Sequence, residues 1–372
     1  MRPRPFAWIG LALILGPAAI SGTSRAEAPP AEKTPAEKTP DLLAAELARW
    51  SAFVAGNTAT DDMWKQVKDA TVPGLARVEQ ALRGGHRLLA LLRLTSVREN
   101  LYASTYLAER TAEQRHDPAA FEAEFHHVGV VLKDELSGSR PQDLDTLRPV
   151  ALRAMAETAA AKTAIYYHAS LDYGRSTTPD SGLYYLGAAQ AQRDFIVLAR
   201  RLSLPSGPPA PRVRALDAGL DALQGEVLAA YRPPASVDKH PEFIGISSAI
   251  KESRELAAAG ATYGALLRYL QAAIRFGALR APALDAATIA TRLRALEARL
   301  GAGGVDHSIG RLILEAAQAD LAEHGSDGVA TTASVIASDV LPRYFAALDP
   351  SPVRPAAEPA KVTVTLVRWP YT

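Results

Sequence analysis

Between residues 41 and 349 the apolar positions recur every three to four residues, and the gaps between such runs carry helix-starting and helix-ending residues. Thr39-Pro40 opens a segment with Leu43, Leu47, Trp50 and Val54 on one face, and Gly56 can stop it. A short helix is predicted from near Asp61, a second from Pro73 to Gly84-Gly85, and a long one from about His86 to Arg110. Asp117-Pro118 supplies a capping side chain and a first-turn proline for the helix that carries Phe121, Phe125, Val128 and Leu132. Further helices are predicted near 149–173, 179–203, 212–231, 241–277, 286–300, 307–324 and 328–347, with 241–277 breaking around Gly260. The short connections favour antiparallel neighbours. The expected fold is therefore all-α: an irregular array of antiparallel helices, as stacked helical hairpins or two helical bundles, with a short C-terminal extended segment.

Small residues recur where such helices should cross, as at Ala156, Ala159, Ala160 and Ala161, and again from Ala257 to Ala259. Gly260 and Gly264 have the spacing of a transmembrane pairing motif, but Arg268 and Arg275 follow on the same segment. An arginine at mid-bilayer costs about 3 kcal/mol or more, so a close crossing of soluble helices is the better expectation. Gly182-Leu183-Tyr184-Tyr185-Leu186-Gly187, with Ala191 and Phe195, has the spacing of the first helix of a tetratricopeptide repeat. No such period recurs along the chain, so no repeat family is assigned.

The punctuation also divides the chain. A proline-rich connection at 205–212 separates helical region 41–204 from helical region 213–349. Segments 29–40 and 350–360 are rich in Pro and Ala and poor in large apolar residues, and read as linkers. The last stretch, 361–372, alternates β-branched and apolar residues through Trp369 and reads as a lone strand, which could dock on the helices or add to a partner's sheet edge. At the other end, Arg2 and Arg4 precede an apolar run from Phe6 to Ile20, and Ala26-Glu27-Ala28 fits a small-x-small cleavage site. Residues 1–28 are thus expected to be a signal peptide, and the mature protein to be exported, periplasmic or secreted, with no membrane span.

Composition narrows the chemistry. The chain has no cysteine, which excludes disulfides, thiolate metal sites and covalently attached haem. Of its 41 basic and 40 acidic residues, three basic and one acidic lie within 1–28, so the rest is close to neutral. Nucleic acid is not an expected partner of such a surface. Glu124-x-x-His127 is half of the ligand motif of di-iron helical bundles, but a second copy is missing, so no metal is expected. Ser248-x-x-Lys251 lacks the companion motifs of penicillin-recognising enzymes. Glu252-Ser253 matches two residues of lytic transglycosylases and nothing beyond them. The glycines of Gly301-Ala-Gly-Gly304 follow no strand and precede no Lys-Ser/Thr, so they form a turn. No catalytic residue and no cofactor is assigned from these patterns.

Two groupings remain as binding candidates. Along the helix from His86, the stripe Leu88, Leu92, Thr95, Glu99, Tyr102, Tyr106 turns from aliphatic to polar-aromatic, and an inward Glu99 needs a partner. Tyr166, Tyr167, His168, Asp172, Tyr173, Tyr184 and Tyr185 gather around a loop expected at Gly174–Gly182. Amphipathic rings of this kind suit a groove or the packing of helix ends. The resulting expectation is an exported helical scaffold or binding protein that recognises a protein, peptide or glycan in the bacterial envelope. The rival is a cell-wall hydrolase or lyase using a buried glutamate, Glu99 or Glu252, as acid/base.

Overall fold

A computed structural model describes residues 41–58, 62–137, 142–176, 179–234, 236–280, 284–302, 304–324 and 331–349. The expected signal peptide, both linkers and the strand-like tail lie outside the described residues. Helix α1 (Leu42–Gly56) begins where the Asp41 carboxylate accepts from the Leu43 amide at 3.1 Å, and it buries Leu43, Leu47, Trp50 and Val54. The two helices expected around Pro73 are one, α2 (Asp62–Arg83). A proline removes one N–H from the ladder, and the continuous buried face Val67, Thr71, Leu75, Val78 holds the two halves together. Helix α3 (Arg87–Ala108) follows, then α4 (Ala112–His116), opened by a Thr111–Gln114 capping box, and α5 (Pro118–Val131), capped by Asp117 as its sequence predicts.

The two longest helices, α6 (Val150–Ser176) and α7 (Pro179–Leu202), form a hairpin, and α7 also packs along α3. The loop expected at Gly174–Gly182 is narrower than that span, because α6 runs to Ser176 and α7 starts at Pro179, which puts both glycines inside helices. Their small size serves contact: a Cβ on Gly182 would stand 2.7 Å from Gly174 Cα and from Ser170 O. Gly187 does the same against α3, where a Cβ would come within 2.9 Å of Ala103 Cα.

Next come α8 (Asp217–Ala230), α9 (His240–Ala258), α10 (Thr262–Arg280), α11 (Ala286–Gly301) and α12 (Ser308–His324). The last helical run is α13 (Thr331–Val335), a π-helical turn at Ile336–Val340, and α14 (Leu341–Ala346). The break expected around Gly260 is present, with Gly260 at φ +76° in the turn between α9 and α10, a conformation that L side chains resist. Gly264 sits inside α10, where a Cβ would stand 3.0 Å from Glu157 Cβ on α6. The all-α expectation holds: among the described residues every regular element is helical, and the β contact is an isolated bridge between Val213 and Leu348.

Helix α10 is buried nearly all round, through Leu266, Leu267, Leu270, Ala273 and Ile274, as expected of a central helix. One apolar core runs from Leu43 and Trp50 on α1 through α2, α3, α6 and α10 to Tyr344 and Leu348. A smaller cluster, Phe121, Val128, Leu132, Tyr167, Leu183 and Leu186, joins α5, α6 and α7. The proline-rich connection is strapped down: Asp306 N donates to Pro209 O at 2.8 Å, and Asp349 N to Arg212 O at 2.9 Å. Among the described residues no helix is long and apolar enough to cross a membrane.

Candidate ligand cavity and its polar surroundings

Interior carboxylates are costly unless bonded, and a first group of them has a structural role. Four accept from an amide in the first turn of a helix that does not contain them. Asp306 accepts from Val150 N at 2.7 Å at the start of α6, and Glu157 from Gly264 N at 2.7 Å in α10. Glu315 accepts from Leu89 N at 2.8 Å in α3, and Asp320 from Ala333 N at 2.8 Å in α13. Each supplies an acceptor to an amide that has no partner within its own helix. Burial pushes the Glu315 carboxyl up to about 7, against the pull of the Leu89 and Leu88 amides and of Arg311. Burial raises Asp320 as well, offset by the Ala333 amide and His324.

A second group forms a polar seam between α3, α6, α7, α9 and α10. The Glu99 carboxylate accepts from Lys162 Nζ at 3.0 Å, Tyr166 OH at 2.6 Å and Gln192 Nε2 at 2.6 Å. The side chains of Glu99 and Lys162 are only 14% and 12% exposed, so this is an interior ion pair. The Tyr166 hydroxyl is held well above the ordinary phenol range by burial, then by the Glu99 charge and hydrogen bond, with Glu252 and Tyr184 adding to it. Glu252 is paired in turn with Arg268 at 2.6 Å, and Arg268 donates to Gln271 Oε1 at 2.7 Å. Burial, with the charge of Arg268, holds Arg275 below the ordinary arginine range, and Glu252 pulls the other way.

Of the ten residues read as binding candidates, the fold unites some and separates others. Glu99 bonds Tyr166, and the rings of Tyr166, Tyr173 and Tyr184 surround Tyr185 at 5.9, 4.7 and 5.8 Å. Tyr173 is 45% exposed and stacks on Tyr185, whose hydroxyl is pushed up to about 12 by burial and by Tyr173. Tyr102 and Tyr106 do not join Glu99. Tyr102 donates to Asp194 and Tyr106 to Glu124, each forming a separate phenol–carboxylate pair. Burial and Asp194 push Tyr102 up to about 12, and burial and Glu124 raise Tyr106 further. Tyr167 turns the other way and stacks on Phe125 at 4.4 Å, while His168 and Asp172 are exposed. Beside Tyr102 lies Arg98, 4% exposed, its guanidinium 5.8 Å from the Trp50 ring and 6.0 Å from the Tyr102 ring.

The seam ends at a cavity. A space of about 260 Å³ lies between α2, α3, α10 and α12, with Thr332 of α13 completing its wall. An apolar cavity of about 150 Å³ takes up benzene, so this space has room for a ligand of roughly ten heavy atoms. Leu89, Leu92, Val97, Ile274, Leu312 and Ile313 form its apolar wall. Arg77 and Arg93 stand together in the lining, Arg93 Nη1 donating to Arg77 O at 2.9 Å. Further along α3 the lining becomes neutral and polar with Ser96 and Asn100, joined by Gln271, the last member of the seam. Burial holds Arg93 below the ordinary arginine range; the exposed Glu323 opposes this and Arg77 adds to it. Among the described residues no carboxylate lies within ion-pair distance of Arg77 or Arg93.

Sequence reasoning missed this cavity, although Arg93, Ser96 and Asn100 at i, i+3 and i+7 mark a polar stripe on α3 distinct from the one that carries Glu99. The motif fragments fare differently. Ser248 is exposed and the Lys251 side chain is 78% exposed, while Ser253 donates to Ala265 O at 2.7 Å as a buried link between α9 and α10. His126 and His127 are exposed, and Glu124 is engaged by Tyr106 and Arg110. Among the described residues no group of three or more His, Asp or Glu is placed to hold a metal ion. Comparison of the chain with protein-family models, curated proteins and solved structures finds no match.

Proposed function

We propose that this chain is a non-enzymatic binding protein that acts outside the cytoplasm after loss of residues 1–28, and that it takes its ligand in the cavity between α2, α3, α10 and α12. The observation that carries this reading is the lining itself. Apolar walls with a few convergent polar groups are the ordinary composition of a small-molecule site, and here they surround about 260 Å³. Of the partner classes open from sequence, the reading favours a small ligand or the end of a peptide over a folded protein or a glycan chain. The hydrolase or lyase alternative has less support. Glu99 is held by three donors and Glu252 by Arg268, and neither carboxylate lines the cavity. A general acid or base needs reach to the reacting group.

Native mass spectrometry of the protein recovered from its own cells tests the reading. Expected are a chain beginning at Pro29 and a bound molecule of low mass, released on denaturation and absent from an Ala316→Phe variant that fills the cavity. A folded wild-type protein that carries no ligand and is not stabilised by any low-mass fraction of its cells would overturn the binding reading. Retention of residues 1–28 would overturn the export reading alone.

A further inference from the structure

The cavity is not uniform along its length, and its asymmetry describes the ligand. Helix α3 rises about 1.5 Å per residue, so Arg93 and Asn100 stand roughly 10 Å apart along the wall. The bond from Arg93 to the Arg77 carbonyl places both arginines at the same end. Two guanidinium groups at one place repel each other, and water alone would hydrate them in a free surface position. Here Arg93 is drawn into the protein, its charge opposed by burial, with the exposed Glu323 as the nearby counter-charge. Among the described residues, two arginines and one exposed glutamate make this end positive, which suits an anion. From there Leu92, Val97, Ile274, Leu312 and Ile313 line the middle without a charge. Thr71, Asn100 and Gln271 close the far end as neutral groups, which offer nothing to balance a second charge.

Resting on the proposal that the cavity is a ligand site, we infer that its ligand is an aliphatic monocarboxylate of about eight to ten heavy atoms. The carboxylate sits against Arg77 and Arg93, and the hydrocarbon lies along α3 toward Gln271. Guanidinium groups pair carboxylates through two parallel N–H donors, and the pair gains strength where water is thinned by the surrounding apolar wall. The chain length follows from the volume and from the distance along α3, not from the arginines, so the two halves of the inference are separately exposed to test.

Isothermal titration of the full protein with octanoate, 1-octanol, octylamine and octanedioate separates them. Octanoate should bind at least tenfold more tightly than octanol, octylamine should not bind, and octanedioate should bind more weakly than octanoate because its second charge meets neutral groups. Octanoate binding should weaken as sodium chloride is raised. Arg77→Gln should cost octanoate about tenfold and octanol much less, because only octanoate loses a charge pair. Arg77 uses its carbonyl and not its side chain to hold Arg93, so this variant keeps the α2–α3 contact. Octanol binding as tightly as octanoate, with Ala316→Phe abolishing both, would overturn the anion while the cavity stood as a ligand site. Failure of all four probes would overturn the inference entirely, and the reading of the cavity as a ligand site would then be decided by the native-ligand measurement.

Discussion

Removing Glu99 is the sharpest perturbation of the polar seam. Its carboxylate is the shared acceptor for Lys162, Tyr166 and Gln192, and Gln192 is only 2% exposed. In Glu99→Ala the lost hydrogen bonds are a minor part of the effect. The larger part is what stays behind: an ammonium group 12% exposed with no counter-charge, and two interior donors with no acceptor. Breaking a buried pair from one side costs about 3–5 kcal/mol. Glu99→Gln keeps the shape and one acceptor oxygen, so it should cost about 1–3 kcal/mol, the scale of an unsatisfied buried polar group. Adding Lys162→Met to Glu99→Ala removes the stranded charge and should recover part of the loss, because an apolar replacement of a whole buried pair is often neutral. Urea unfolding followed by far-UV circular dichroism, with one slope fitted to all variants, reads these differences. A Glu99→Ala loss of about 0.5 kcal/mol or less, the level of surface substitutions, would refute the reasoning. So would a double variant less stable than Glu99→Ala alone.

Other expectations follow from the same contacts. The folded carboxyl of Glu315 lies at about 7, above its ordinary 4.5, so the folded state binds the proton more tightly and stability should fall as pH rises from 4.5 to 7. Glu315→Gln keeps an acceptor for Leu89 N and should flatten that fall; an unchanged dependence of melting temperature on pH would contradict it. Tyr102 and Tyr185 titrate at about 12 in the fold against about 10 in the unfolded chain. Stability should therefore fall as pH rises from 10 toward 12, and absorbance at the phenolate band should show a late phase; a single phase near pH 10 with the helical spectrum intact would refute this. Gly187→Ala should cost about 1–3 kcal/mol or more, since its Cβ would meet α3 backbone. Gly225→Ala, in α8 with nothing within 4 Å, should gain about 0.5–1 kcal/mol instead, and equal melting temperatures for the two variants would show that the close crossing is absent.

Helix identity was legible because each helix buries a stripe that its own spacing declares, as with Leu43, Leu47, Trp50 and Val54 on α1. The errors came where a local signal met a distant one. Pro73 breaks a helix in isolation, yet α2 continues because Val67, Thr71, Leu75 and Val78 form one buried face. Gly174 and Gly182 look like turn residues along the chain, and only the crossing of α6 with α7 shows that they are there for their size. The inter-helix caps at Glu157, Asp306, Glu315 and Asp320 were illegible for the same reason, since each acid lies far in sequence from the amide it serves. Glu99 was readable as an acid in need of a partner, but its partners were not. Tyr102 and Tyr106 share its stripe and bond elsewhere, whereas Lys162 and Gln192 come from α6 and α7. The cavity needed four helices to exist at all. Its one sequence trace is the second polar stripe of α3.

Methyl-labelled nuclear magnetic resonance, with the protein titrated by the low-mass fraction of its own cells, bears most directly on the claim that the cavity receives a ligand. The methyl signals of Leu89, Leu92, Ile274, Leu312 and Ile313 should shift together, while Leu183 and Leu186 of the smaller cluster stay in place. Unmoved cavity methyls, or shifts confined to residues beside the Tyr173–Tyr185 stack, would contradict the account and return the tyrosines to the centre of the binding question.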